Sequence, residues 1–361
     1  MPEVLCGHNQ HGRRWQIKMQ FLPASVSEIE TIIKSWGKNP KIFNSYSNLM
    51  PSGFWKKLKR PIMMMAPMLN ITDVAFRRML LKFGRPDVFW TEFVSVDGLF
   101  SKGRESILNV LRFIPAEHPI VAQIFGTEPD LFEKTAELIK KLGFDGIDIN
   151  MGCPNKDVEK RGAGAALIKN PDLAKQIIVA VKRGAGKLPV SVKTRIGYAK
   201  NEIAEWLPAL LKENIAVLTV HLRARNESVK VPAHWELAQK IMKFRDRYSP
   251  ETLIFGNGDI KSLARARQMA KKTGLDGIMV GRGVLENPWF FSERTPDIRE
   301  RLDSVVEHAE TFDKIGNPQN FNSLKKYFKG YIAGFDGAKN LRERLMGAES
   351  AAEVRKIIKD F

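Results

Sequence analysis

Cysteine is nearly absent from this chain: Cys6 and Cys153 are the only two among 361 residues. So few thiols exclude the disulfide framework of a small secreted domain. Long apolar runs are missing too, since none approaches the ~18 residues a bilayer-spanning helix needs, and no signal-peptide h-region is expected at the N-terminus. A cytoplasmic protein without an obligate protein partner is the resulting expectation. Acidic residues are in deficit, with 40 Asp+Glu against 58 Lys+Arg and a formal net charge of +18. That excess draws a polyanion by counterion release and steering, with nucleic acid first and an anionic membrane surface second. With 43% hydrophobic residues the chain is no disordered polymer, and its length suits a barrel of roughly 250 residues plus a small appendage.

Eight short apolar or β-branched runs end in polar or glycine turns, at residues 62–66, 88–94, 119–125, 146–150, 190–194, 217–221, 253–256 and 277–281. Segments of helical period lie between them. One follows Thr127 as a candidate cap and stops before Gly143. Another opens with Asn170-Pro171, a cap followed by proline at the first helical position. A third is expected to start at Asp259 and stop at Gly274. Eight strand–helix alternations with right-handed crossovers predict a closed parallel (β/α)8 TIM barrel over residues 59–292.

Residues 297–361 read as a small all-helical domain. It carries Lys325, Lys326, Lys329, Lys339, Arg342 and Arg344, with Tyr327 and Tyr331 interleaved. The pattern predicts a phosphate-backbone surface with rings available for stacking. The first 58 residues form an extension with little period, apart from a helical stretch near residues 25–36 and a Ser25/Glu28 capping box. Cys6, His8 and His11 lack a second pair of ligands, so a mobile tail is expected and no metal site. Met50 precedes the first strand closely, and translation beginning there would make residues 1–49 an extension or a misassigned start.

In a parallel barrel the chemistry sits where strands end. Those ends here supply Ala66-Pro67-Met68, Gln123, Asn150, Lys193, Arg195, His221, Arg223, Asn257-Gly258-Asp259 and Gly281-Arg282. The last two turns are glycine-rich, and with Arg282 they predict a phosphate site between strands seven and eight. Gly162-Ala163-Gly164-Ala165-Ala166-Leu167 misses the dinucleotide fingerprint at its final glycine, so the phosphate is assigned to a barrel-bound ligand. Lys193 in the mouth either stabilises negative charge on a ligand or forms a Schiff base. Cys153 sits between Gly152 and Pro154 in the turn after the fourth strand. A thiol with an ordinary pKa near ~8.5 is mostly S–H at neutral pH and can serve as a general acid.

Taken in order and spacing, Ala66-Pro67-Met68, Gln123-Ile124-Phe125-Gly126, Asn150-Met151-Gly152-Cys153-Pro154, Val192-Lys193-Thr194-Arg195-Ile196-Gly197, His221, Asn257-Gly258-Asp259 and Gly281-Arg282 resemble the tRNA-dihydrouridine synthases. Gly337-Ala338-Lys339-Asn340-Leu341-Arg342-Glu343-Arg344-Leu345-Met346 looks like the C-terminal signature of that family. The resemblance implies FMN-dependent reduction of a uracil C5=C6 bond in tRNA, with NADPH as electron donor. It implies Pro67, Met68, Gln123, Lys193 and His221 around the isoalloxazine, and Asn257, Gly258, Asp259, Gly281 and Arg282 near the phosphate. Cys153 would protonate C5 after hydride reaches C6, Asn150 and Arg195 would grip the uracil edge, and Lys325, Lys326, Lys329 and Arg342 would hold tRNA. One departure is Leu222, where the family often has glycine after the histidine. Two other readings fit part of the pattern: an FMN oxidoreductase of a free pyrimidine, like dihydroorotate dehydrogenase, and a non-catalytic tRNA-binding chaperone.

Overall fold

The computed structural model describes residues 53–316 and 321–361, with the backbone of two short strands near the N-terminus. Those strands, β1 (Cys6–His8) and β2 (Arg14–Gln16), pair antiparallel within a unit spanning Met1–Pro40. The expected helix at residues 25–36, the Cys6/His8/His11 side chains and the Met50 start lie outside the described residues. Lys41–Phe361 makes the second unit.

In that unit β3 (Ile62–Met65), β4 (Phe89–Ser95), β5 (Ile120–Phe125), β6 (Gly146–Met151), β7 (Val190–Arg195), β8 (Val217–His221), β9 (Leu253–Asn257) and β10 (Gly277–Val280) form one parallel sheet. Its order is β3-β10-β9-β8-β7-β6-β5-β4, and a parallel bridge between Met64 and Val88 joins the two end strands. The predicted TIM barrel is therefore present, with all eight strands where the apolar runs lie. Its floor is apolar because the first inward residues of the strands are Ile62, Val88, Val121, Val217 and Leu253, packed around Trp55. Trp55 comes from a 3-10 turn at Gly53–Lys57 and meets Trp90 and Phe255 at 5.7 and 5.6 Å between ring centroids. This stopper leaves only the opposite end of the barrel open to polar chemistry.

Two helix starts differ from expectation. The helix after β5 begins at Pro129 with Glu128 in the cap position, because a proline at the first helical residue needs no N–H partner. The helix after β9 is Leu263–Thr273, capped by the Ser262 side chain rather than by Asp259. Asn170 caps Pro171–Ala185 as expected, accepting from the Leu173 N–H at 3.2 Å.

Beyond the barrel, Ile298–Ile315, Ala338–Met346 and Ala351–Lys359 are helices. The turns Phe321–Tyr327 and Phe328–Tyr331 between the first two fasten to the first barrel helix, Val74–Phe83, through aromatic rings. Tyr327 stacks on Phe76 at 4.8 Å, and Tyr331 meets Phe83 edge-on at 6.0 Å. Both tyrosines are fully buried, so the expected stacking rings are not on the surface. A phenol inside an apolar layer needs a hydrogen bond, and Tyr331 has one with His308 Nδ1 at 3.0 Å. No helix among the described residues is long and apolar enough to cross a membrane.

Candidate active site at the barrel mouth

Strand register assembles the mouth. Gln123 pairs with Asp148 and Asp148 with Ser191; one layer higher Asn150 pairs with Lys193; at the rim Arg195 pairs with His221 and His221 with Asn257. Side chains alternate faces with period two, so the same registers that turn Val217 inward at the floor turn these polar groups inward at the top. Polar residues spread over 135 positions of sequence, from Gln123 to Asn257, thus come together at one end of the barrel.

A chain of hydrogen bonds runs through the two lower layers to the cysteine. Ser191 Oγ donates to Asp148 Oδ1 at 2.5 Å, and Gln123 Nε2 donates to Asp148 Oδ2 at 2.6 Å. Asn150 Nδ2 donates to Gln123 Oε1 at 3.0 Å. The Asn150 Oδ1 then accepts the N–H groups of Gly152 and Cys153 at 3.1 and 2.9 Å. Each amide is oriented by the group behind it, and the last one shapes the turn that carries the thiol. Burial pushes the Asp148 carboxyl up to about 6, opposed by its bonds to Ser191 and Gln123 and by the Lys193 charge. Above that pH it is a fixed acceptor at the root of the chain.

Other contacts close the turn from the sides. Arg195 Nε donates to the Gly152 carbonyl at 2.7 Å and Nη1 to the Ala224 carbonyl at 3.2 Å. Gly164 lies beneath, with φ +62° and a position from which a Cβ would stand 2.8 Å from the Cys153 carbonyl oxygen. The glycine-rich stretch that fails as a dinucleotide fingerprint is the floor of the cysteine loop. On the solvent side Arg225 Nε reaches both Glu159 carboxylate oxygens, at 2.7 and 2.8 Å, and fastens the helix Lys156–Lys160.

The electrostatics favour a protonated thiol among cations. Burial raises the Cys153 pKa above its ordinary value, and the Asn155 amide, Lys193 and Arg195 only partly offset this. Desolvation, then the neighbouring Arg195 charge, pulls the Lys193 ammonium down to about 8. Lys193 makes no hydrogen bond to any described residue, so its charge is free to meet an anion. Desolvation and the charges of Arg195, Lys193, Arg223 and Arg282 hold His221 well below its ordinary pKa. It is a neutral imidazole at pH 7 whose Nε2 accepts from Arg223 Nη1 at 3.4 Å.

The predicted phosphate turns meet at this rim. Asp259, with φ +53°, accepts from Arg223 Nη2, from the Ala233 N–H at 2.9 Å and from Arg282 Nη2 at 3.3 Å. Burial works against its ionisation, but the Arg223 bond, the Ala233 amide and the charges of Arg223 and Arg282 keep its carboxyl below the usual range. Asp259 therefore orients two guanidiniums, and its carboxylate faces them. Gly258 has φ +140°, and a Cβ there would stand 2.7 Å from the Ala233 Cβ, so the backbone path needs glycine. Asn257 Nδ2 donates to the Met279 carbonyl at 2.7 Å. Near Gly281 a Cβ would meet nothing closer than Met68 Sδ at 3.8 Å. Pro67 is buried and Met68 half-buried beside that turn. Leu222 is buried and donates its N–H to the Asn257 carbonyl at 2.9 Å, so the strand edge accommodates leucine there.

Of the four cations expected to hold a polyanion, three share a groove of about 340 Å³ on the C-terminal helices. Lys325, Lys329 and Arg342 line it with Lys339, Phe328, Glu343 and Met346. Lys326 faces the other way, and its ammonium reaches the Asn70 carbonyl. Sequence reasoning missed Asp148 and Glu92, although each is the lone acid of its strand. No group of three or more His, Cys, Asp or Glu among the described residues could hold a metal.

A thiol, a neutral imidazole and a Lys193 ammonium without a hydrogen bond to any described residue, gathered at the open end of a parallel barrel, make the arrangement of an enzyme site. The chain belongs to the dihydrouridine synthase family, a family of flavin-dependent oxidoreductases, whose model, described as Dihydrouridine synthase (Dus), matches residues 64–360. It is 43% identical over 318 residues to a Staphylococcus aureus protein named probable tRNA-dihydrouridine synthase, covering 86% of this chain and 96% of that one. It is likewise 43% identical over 318 residues to the Bacillus subtilis probable tRNA-dihydrouridine synthase 2, covering 86% and 97%.

Proposed function

We propose that this protein reduces the C5=C6 bond of uridine in tRNA, with FMN as its resident cofactor, NADPH as electron donor and the cytoplasm as its setting. The observation that carries the reading is the Cys153 turn at the barrel mouth, fixed by the Asn150 side chain and within electrostatic reach of the Lys193 ammonium. The residues present fit a flavin phosphate ester: Lys193 has no competing hydrogen bond to a described residue, Asp259 aims Arg223 and Arg282 at the rim, and the open space at Gly281 leaves room for close approach. Pro67 and Met68 would wall the ring, with Gln123, Lys193 and His221 at its polar edge, and Asn257, Gly258, Gly281 and Arg282 would take the phosphate.

FMN, when bound and reduced, would supply the hydride. Addition at C6 leaves enolate character at C5 and the C4 carbonyl, which needs a proton and a nearby positive charge. Cys153 holds that proton on Sγ, and Arg195 keeps the thiol turn in place through Gly152. The remaining Asn150 N–H and the Arg195 guanidinium would grip the uracil edge. A base inside duplex RNA cannot reach the mouth, so the target must be unstacked. Lys325, Lys329 and Arg342 would hold the phosphodiester backbone meanwhile. The donor and the uridine would use the flavin in turn, which predicts ping-pong kinetics.

The test is a visible spectrum of the purified protein, followed by dihydrouridine content of unmodified tRNA incubated with NADPH, for wild type and Cys153→Ala. Flavin absorbance with tRNA reduction that collapses in the variant supports the proposal. Flavin without tRNA reduction would sink it and leave a free pyrimidine as substrate, and tRNA binding without flavin would leave a chaperone.

A further inference from the structure

Glu92 is a buried acid that the proposed chemistry does not use. It is 2% exposed on β4, inside an irregularity where the register with β5 shifts between Trp90 and Phe93. A bulge re-aims the side chains within it. Here it turns Glu92 toward the loop that leaves β3, where its carboxylate accepts the Asn70 N–H. The carbonyl of the same residue accepts Lys326 Nζ from the C-terminal segment. Asn70 is thus gripped at its N–H and its C=O by residues 234 positions apart, and it sits at φ +60°. The next residues are held from the same side: Tyr327 O–H donates to the Ile71 carbonyl and to Asp73 Oδ2, the latter at 3.2 Å. The loop closes back on Met68, whose carbonyl accepts the Ile71 and Thr72 N–H groups at 3.0 Å, and whose N–H reaches Thr72 Oγ1 at 3.1 Å.

We infer that Glu92 is a positioning residue which, with Lys326, clamps the Asn70 peptide and so fixes the Pro67-Met68 wall of the cofactor site. The inference rests on the reading of Pro67 and Met68 as that wall. The groups facing Glu92 are Asp73 at the cap of the Val74–Phe83 helix, Arg77 within that helix and Lys326 from the C-terminal segment. Tyr327 faces the same cluster through Asp73, and Arg77 is shared with the buried Glu117 at 2.5 Å. Burial, then the Asp73 charge, raises the Glu92 carboxyl to about 7, against the pull of the Asn70 bond, Arg77 and Lys326. Above that pH Glu92 is a carboxylate that attracts Lys326 and accepts strongly from Asn70. Below it the clamp weakens, so cofactor affinity falls as pH falls through neutrality.

The experiment uses the full chain and has two readouts. Amide hydrogen exchange of the peptide covering residues 68–76, corrected for intrinsic rate, is compared between wild type and Glu92→Gln without cofactor. FMN affinity of the apoprotein is then titrated from pH 6 to pH 8 by flavin fluorescence. Expected in Glu92→Gln are protection lowered at least tenfold in residues 68–72 and FMN affinity that is weaker than wild type, with a smaller fall between pH 8 and pH 6 than wild type shows. Unchanged protection in a folded variant overturns the clamp, and wild-type pH dependence of FMN affinity in the variant overturns the link to the cofactor wall. If Glu92→Gln does not fold, Lys326→Met removes the other half of the clamp, and unchanged protection there overturns the inference equally. Absent tRNA reduction with both readouts as expected would refute the proposed substrate while leaving Glu92 in its role.

Discussion

The barrel mouth and the C-terminal groove both gather positive charge, but under opposite physical conditions. In the mouth, Arg195 and Arg223 are buried and Lys193 is half-buried; strand register sets Lys193 and Arg195, and hydrogen bonds hold Arg195 and Arg223. Desolvation makes those charges costly, as the lowered Lys193 and Arg195 values record. In the groove, Lys329 and Lys339 stand in water on short helices, with no strand to fix them. A desolvated charge acts strongly on one ligand atom in one geometry, whereas hydrated charges act on any polyanion and are screened by salt. The mouth is thus suited to chemistry and the groove to capture, so variants in the two places should fail differently.

The largest effect is expected at the thiol. Cys153→Ala should lower the single-turnover rate of tRNA reduction by ~10²–10⁴-fold, the usual range for losing a positioned acid. FMN content and tRNA affinity should stay at wild-type values. A loss below tenfold would move the proton source elsewhere. Next comes Lys193→Met, expected to lower turnover by ~10²-fold, in the range of one electrostatic stabiliser. In wild type the ammonium loses its proton as pH rises through about 8, so the rate should fall on the alkaline side and the variant should lack that limb. The stability sign is the reverse: the folded pKa lies below the unfolded one, so the unfolded chain binds more protons between about 8 and 10.5 and stability rises over that window. A denaturant series at pH 8 and pH 10 compares the two signs.

Why the mouth was legible in the sequence and the groove only partly so follows from the same contrast. Gln123, Asn150, Lys193, Arg195 and His221 sit at ends of apolar runs, and a period of two with known strand polarity determines which way they face. Nothing so regular places the C-terminal residues. Lys325 and Lys326 are neighbours, yet one lines the groove and the other reaches Asn70. Tyr327 and Tyr331 looked like surface rings among lysines until the Val74–Phe83 helix supplied Phe76 and Phe83 to cover them. Asp259 read as a helix cap because its true partners, Arg223 and Arg282, come from other turns. Glu92 was invisible because a bulge breaks the alternation that would have placed it.

Charge reversal in the groove sharpens the comparison further. Lys329→Glu with Arg342→Glu should raise KM for tRNA about tenfold at low salt while leaving single-turnover chemistry at saturation unchanged. The slope of log affinity against log salt should shrink by ~0.7–0.9 for each phosphate that is no longer neutralised. A drop in the chemical step instead would mean that the groove is part of the catalytic constellation.

The smallest effect is expected from the only acid among the described residues that line the groove. Glu343 lies 3.9 Å from Lys339, one helical turn away, and both side chains are largely exposed. Such a pair contributes only ~0–1 kcal/mol to stability, so Glu343→Gln should leave the thermal midpoint nearly unchanged. Its carboxylate still repels an approaching phosphate and occupies a neighbouring cation. Removing it should tighten tRNA binding by roughly two- to fivefold at low ionic strength, since ~0.4–1 kcal/mol corresponds to that factor and exposed charges rarely deliver more. The gain should vanish as the Debye length shrinks toward ~3 Å near 1 M salt. A gain that survives high salt would mean the groove closes around its ligand and excludes water, and the division between a dry mouth and a wet groove would then fail.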